Sequence, residues 1–312
     1  MTRTRWALLI AGLSLAGCTS QVDGEALPGP TSGPSEQAIA SSTGLIGNAT
    51  TLDPCSLVDP VALSQFGTAQ RPDQEAYDYC WLKLPVDGST VAVRFGLLER
   101  VRGNLEAKEV EPVGPLRIFE ENPAKDRCAR YILFSDNVSL IASADTVDTP
   151  GTTVPQLCSI TEKTTTTIAE NLIAREIEHV TYPPSSLGSF DACNAVTVSL
   201  AQVPTLPAGE VISYPGRHQC RWGQAMVPSL TLRFVLGTPS TAPSVRYETI
   251  AGKQTSVYPV DIPGRTLCVA EVRHGTGREM AQVVVRLTPT SPATACAAAQ
   301  AVAAEAWGKL PA

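Results

Sequence analysis

The residues best suited to chemistry in this chain are its cysteines, nine among 312 residues. One stands apart. Cys18 closes Leu15-Ala16-Gly17-Cys18, behind the charges of Arg3 and Arg5 and the apolar run Trp6 to Leu15. Small residues at Ala16 and Gly17 suit an extended chain in a peptidase cleft, and the Cys18 thiol can take a diacylglyceryl group before cleavage leaves it first in the chain. The run of about ten apolar residues falls well short of the roughly 20 that span a bilayer as a helix. The expectation is a lipoprotein signal peptide over residues 1–17 and a lipid on Cys18, which would hold the protein at the outer, extracytoplasmic face of the cell membrane. Two or more acyl chains on one residue make a stable anchor, where one chain is marginal.

The other eight cysteines form two sets, Cys55, Cys80, Cys128, Cys158 and Cys193, Cys220, Cys268, Cys296, at offsets of 138, 140, 140 and 138 residues. Val91-Ala92-Val93-Arg94-Phe95 answers Leu230-Thr231-Leu232-Arg233-Phe234 at an offset of 139, and Trp81 and Trp222 each sit just beyond the second cysteine of a set. Duplication of one domain explains all of these matches. In an exported chain, eight such cysteines point to disulfides, and no Cys/His cluster has zinc spacing, so no metal is expected. Four cysteines permit three pairings, and the sequence does not choose among them. The pairing Cys55–Cys80, Cys128–Cys158, Cys193–Cys220, Cys268–Cys296 is favoured because it closes the shorter loops and ties terminal helices to strands. Each loop would contribute roughly 3 to 4 kcal/mol on a chain-entropy estimate.

Other chemistry is thin. No nucleophile elbow, metalloprotease His-Glu pair, phosphate loop or dinucleotide fingerprint is present, so neither catalytic residues nor a cofactor are expected. His179 falls near a domain boundary; His218 and His274 read as two accessible histidines near strands. Arg94 and Arg233 are the candidate anion-binding pair, at matched positions on the polar faces of matched strands, since the guanidinium fork suits carboxylate or phosphate. The plainer reading is a charged, solvated strand face. Trp81 and Trp222 read as core anchors against the neighbouring disulfides.

These residues need elements to hold them. Asp53-Pro54-Cys55 reads as a helix start running through Leu57, Val61 and Leu63 to Gly67. Tyr79 to Leu84 and Thr90 to Leu97 read as strands, the second with Val91, Val93, Phe95 and Leu97 on one face. A poorly patterned stretch follows, then a hairpin from Cys128 to Ser143 and a helix from Val154 to about Ile177. The second copy offers strands at about Gln219 to Met226, Leu230 to Leu236, Thr266 to Val272 and Met280 to Leu287, and a helix over Pro292 to Lys309. The expected fold class is α+β: two tandem copies of a domain whose antiparallel sheet is flanked by a short N-terminal and a longer C-terminal helix, with two disulfides each. The boundaries are a lipidated flexible tether over 18–51, rich in Pro, Ser and Thr, a first domain over 52–180 and a second over 186–312, with Tyr182 to Ser186 as a short hinge. Losing Arg3 and Arg5 with the leader leaves 22 basic against 30 acidic residues, near −8, which disfavours nucleic acid as a partner.

The lipid-attachment sequence, the tether, the Asp-Pro-Cys start, the Cys80-Trp81 strand opening and the later cysteines on strand and helix together resemble the uncharacterised four-cysteine lipoprotein domains of mycobacteria and related actinobacteria. These are more distantly similar to the extracellular sensor domain of mycobacterial receptor serine/threonine kinases. The second copy departs from the pattern, with Asp191-Ala192-Cys193 and Cys220-Arg221-Trp222. The resemblance implies a non-catalytic envelope module that binds a small-molecule ligand or another envelope protein, sensor-like or accessory in role. The alternative is a carrier for an apolar envelope lipid, which would need a pocket of several hundred cubic ångströms; a hydrolase with an unrecognised site ranks below both.

Overall fold

The computed structural model describes residues 40–71, 76–103, 105–147, 151–197, 199–207, 211–224 and 227–311. The leader, Cys18 and the tether as far as residue 39 lie outside the described residues. All the described residues belong to one compact unit.

Composition assigns residues 40–51 to the tether, but the structure packs them. Ser41 caps a single helical turn, α1 (Ser42–Leu45), and Asn48 caps a 3-10 turn over Ala49–Thr51. Leu45, Ile46 and Leu52 are buried in the first core, and Ser42 donates its backbone N–H to Asp136 at 3.1 Å. Three apolar side chains suffice here; averaging over the polar stretch hides them. The expected helix from Pro54 to Gly67 is instead two 3-10 turns, Pro54–Leu57 and Pro60–Leu63. Pro60 disfavours a helical Asp59 and lacks an N–H, and Asp59 instead caps the second turn through Val61 N at 2.9 Å.

The fold is mainly β. Strands β1 (Cys80–Val86), β2 (Ser89–Arg100), β3 (Ala107–Val113), β4 (Leu116–Glu121), β5 (Arg127–Leu133) and β6 (Val138–Thr146) form one antiparallel sheet in the order β1-β2-β6-β5-β4-β3. Helix α2 (Val154–Ala174) packs on β5 and β6. Strands β7 (Val211–Ser213), β8 (Gln219–Gly223), β9 (Ser229–Leu236), β10 (Arg246–Ile250), β11 (Lys253–Ile262), β12 (Arg265–Arg273) and β13 (Glu279–Leu287) form a second antiparallel sheet, and α3 (Pro292–Lys309) packs on β12 and β13. Read from β8, the second sheet runs β8-β9-β13-β12-β11-β10, which repeats the first strand for strand, with β7 added at its edge. Strands β3, β4, β7, β10 and β11 fall in stretches without clear alternation. Ala107–Val113, for example, carries Lys108, Glu109 and Glu111 and has no fully buried residue.

Each sheet buries one face under its helix, giving two apolar clusters. In threonine-rich α2 three buried hydroxyls are satisfied within the helix: Thr161, Thr164 and Thr165 donate to the carbonyls four residues back at 2.7–2.9 Å. Alanine-rich α3 lies close to its sheet and seats Trp307, whose indole N–H reaches Thr255 at 3.1 Å. Four disulfides, Cys55–Cys80, Cys128–Cys158, Cys193–Cys220 and Cys268–Cys296, join a 3-10 turn to a strand or a strand to a helix. In β2 the register shifts between Phe95 and Leu98. Gly96 sits at φ +108, where a Cβ would stand 2.7 Å from Pro54 Cβ. This bulge turns Leu98 into the core and Leu97, expected inward, to the other face.

Candidate functional site

The segment just before β1 reaches across to the second sheet. Ala76 bridges to Val235, and Tyr77 is buried in the second apolar cluster. Asp78 accepts from His218 Nδ1 at 2.7 Å, while His218 Nε2 lies 2.9 Å from the Gly188 carbonyl. Both ring nitrogens thus face oxygen acceptors. Gly216 is required here, because a Cβ would stand 2.2 Å from Asp78 Oδ1. Glu279 accepts from the Ser186 hydroxyl and from Leu187 N at 2.9 Å. Burial, then the Asp53, Asp78 and Glu279 carboxylates, push the Tyr182 phenol up to about 12; burial and Glu279 raise Tyr77 as well.

The histidines are therefore structural and two of them are buried, contrary to the expectation of accessible ones. His218 is 1% exposed and His274 8%. His274 Nε2 bonds the Ser185 carbonyl at 2.8 Å and His179 Nδ1 bonds Thr51 Oγ1 at 2.8 Å. The Tyr182–Ser186 segment, expected as a hinge, is pinned by these bonds. Among the described residues no group of three His, Cys, Asp or Glu side chains could hold a metal ion.

Beside this clasp opens a cleft of about 630 Å³, lined by Tyr79, Trp81 and Lys83 from one side and Arg233, Arg278 and Gln282 from the other. Strand alternation explains the first wall: Cys80, Leu82 and Leu84 point into the core, so Trp81 and Lys83 point out. The Lys83 ammonium lies 5.4 Å from the Trp81 ring centroid. Arg233 Nε donates to Gln282 Oε1 at 2.9 Å, and Gln282 in turn donates to Glu271 at 2.8 Å. Glu271 is 2% exposed and is also held by Ser240 N and the Tyr258 hydroxyl. Lys83, Arg233 and Arg278 reach the lining, whose described residues include no carboxylate. Burial, then Arg233 and Arg221, depress the Arg286 guanidinium further along β13. The two sides meet again where burial raises the Glu99 carboxyl against the opposing pull of Arg221 and Tyr214.

Arg94 and Arg233 both point away from the cores but do not meet at one site. Arg94 is held by Asp145 at 2.8 Å, which also takes Arg127 at 3.1 Å, beside a separate recess of about 240 Å³ that includes Phe95 and Leu97. Trp222 is buried in the second core, as a core anchor should be. Trp81 is not in a core: it follows Cys80 directly and so takes the opposite face, whereas Arg221 intervenes before Trp222 and returns it to the cysteine face. Parity alone therefore places Trp81 and Lys83 on the outward face of β1. Arg278, in the connection between β12 and β13, left no such signal.

No family model and no curated protein matches the chain. Among solved structures, DynU16, from the dynemicin biosynthetic locus, is similar at 13% identity over 80% of this chain and 91% of its own, with a TM-score of 0.17. At that TM-score the likeness carries no argument about fold or function.

Proposed function

We propose that this chain is a non-catalytic lipoprotein of the cell envelope, anchored through Cys18 on the extracytoplasmic side, which holds an anionic ligand in the cleft between two tandem disulfide-bonded copies. The copies run over 52–180 and 186–312, the first extended by the packed residues 40–51. Matched cysteine offsets and the repeated strand order support this division. The observation that carries the binding reading is the cleft itself: Lys83 and Arg233 line one space from its two sides, with no carboxylate among its described lining residues, in a chain with a formal charge of −6. A recess of one sign focuses the field and gathers counter-charged ligand.

The histidines, each committed to a fixed acceptor or hydroxyl, support a non-catalytic role, sensor-like or accessory to another envelope protein. The carrier alternative would use one of the more apolar recesses, beside Phe95 and Leu97 at about 240 Å³ or beside Leu133 and Phe134 at about 400 Å³, against the roughly 300–1,000 Å³ of ligand sites.

The test is to express the full chain with its own leader in an actinobacterial host and record native mass spectra before and after a high-salt wash and an organic extraction. An acidic adduct removed by salt is the expected result. An adduct resistant to salt and removed only by organic solvent would replace this reading with the carrier. A mass free of lipid would remove the anchor.

A further inference from the structure

Independently of the cleft, we propose that two copies of this chain pair edge to edge through β10, in an antiparallel register centred on Tyr247. The two sheets end on matched edge strands, β3 in the first and β10 in the second. An open edge offers unpaired N–H and C=O groups to another strand, and charge, proline and irregular pairing are the usual protection against it. Strand β3 has all of these. Lys108, Glu109 and Glu111 are exposed, Pro112 lacks an N–H, and the register with β4 shifts between Val110 and Val113. Strand β10 contains neither proline nor lysine and pairs with β11 without a break. It exposes Arg246, Tyr247 and Thr249, and Tyr247 is 56% exposed.

The hairpin fixes which main-chain groups are free. Ala251 and Gly252, both at positive φ, form a tight turn between the paired Ile250 and Lys253, and residues flanking such a turn exchange hydrogen bonds. Alternation from there bonds Glu248 and Arg246 to β11. It turns the N–H and C=O of Tyr247 and Thr249 to the open edge, where neither residue finds a backbone partner among the described residues. A second copy related by a two-fold axis can meet these groups with its own. Centring the pair on Glu248 sets two carboxylates directly opposite each other, and centring it on Thr249 sets Arg246 and Glu248 against Gly252 and Ile250. Centring it on Tyr247 sets Arg246 of each copy against Glu248 of the other and brings the two Tyr247 side chains together. Opposite charges and aromatic pairs across strands stabilise a sheet, whereas like charges directly opposite destabilise it. Within one copy Arg246 lies 4.0 Å from Glu248 and is 62% exposed, and Glu248 also accepts from Gln300 of α3. The Tyr247 hydroxyl lies 3.4 Å from the Ser240 carbonyl. One edge thus supplies both members of each charge pair, which favours a second copy over a strand of another protein.

The experiment follows the full mature chain by sedimentation velocity over a range of protein concentrations, in detergent micelles kept in excess so that no micelle holds two chains. The expected result is a reversible equilibrium between monomer and dimer. Arg246→Glu and Glu248→Arg each set like charges opposite one another and should weaken the dimer about tenfold or more. Mixed in equal amounts, the two variants should pair with each other about as tightly as the parent chain pairs with itself, because each then meets its complement. That recovery also shows that both variants are folded. Thr249→Pro removes an N–H that β11 does not use, so it should weaken the dimer without unpairing β10 from β11. A chain that stays monomeric to its solubility limit overturns the inference and leaves the edge to a strand of another protein. A dimer that both charge reversals leave intact overturns it as well, and so does loss of the dimer in both variants with no recovery on mixing.

Discussion

On the first sheet arginines lie opposite carboxylates, while on the second Arg233 and Arg286 rest on Gln282 and Thr231. The strand order and disulfide framework are the same on both sides. The matched strand positions therefore do not carry matched chemistry: Arg94 is held by the Asp145 carboxylate and Arg233 by the Gln282 amide. A single inserted residue makes a comparable difference at the tryptophans, turning Trp81 toward the cleft and Trp222 toward the core.

The tryptophans give the largest test of that contrast. Trp222→Ala should cost about 3–5 kcal/mol through the cavity it leaves, and Trp81→Ala about 1 kcal/mol or less, both read by urea denaturation. Equal losses would mean the two side chains are buried alike. Next comes the clasp. His218→Ala strips the hydrogen-bond partner from Asp78, whose side chain is 11% exposed, and should cost about 1.5–3 kcal/mol. An effect under about 1 kcal/mol would mean that the His218–Asp78 hydrogen bond does not hold the two sides together.

Much of the scaffold was legible before the structure. The cysteine offsets and the alternation in Thr90 to Phe95 locate β2 and the matched β9, and Ser291-Pro292 opens α3 as its capping residues require. Three things were hidden for physical reasons. Leu45 and Ile46 pack although their neighbours are polar, β3 is too charged to show a buried face, and Pro60 divides a helix that periodicity joins. The cleft itself was out of reach. It depends on Ala76 to Tyr79 crossing to the second sheet, and the chief signal for that crossing, His218, reads from sequence as an ordinary exposed residue.

The arginines sharpen the comparison on a smaller scale. Arg94→Gln removes a side chain that is 48% exposed, so its ion pair should be worth about 0–1 kcal/mol, with anion affinity intact; Arg233→Gln should do the reverse, sparing stability and weakening affinity. The smallest effect concerns the closing helices. Partial burial raises the Glu305 carboxyl, but hydrogen bonds from Lys309, Ser199 and Thr197 outweigh it and hold the group below the usual carboxylate range. The stability this contributes is present above the unfolded value, about 4.3, and is lost as pH falls through the lower folded value. The melting temperature should therefore fall further between neutral pH and acid in the parent than in Glu305→Gln. Identical pH profiles would show that Glu305 does not tie α3 to the Thr197–Ser199 segment.

The central claim, one cleft that binds an anion from both sides, is tested most directly by soaking crystals of the full mature chain with tungstate, a tetrahedral dianion visible by its anomalous scattering. The account predicts a peak between Lys83, Arg233 and Arg278. A peak confined to the recess beside Arg94 and Arg127, or no peak in an open cleft, would contradict it.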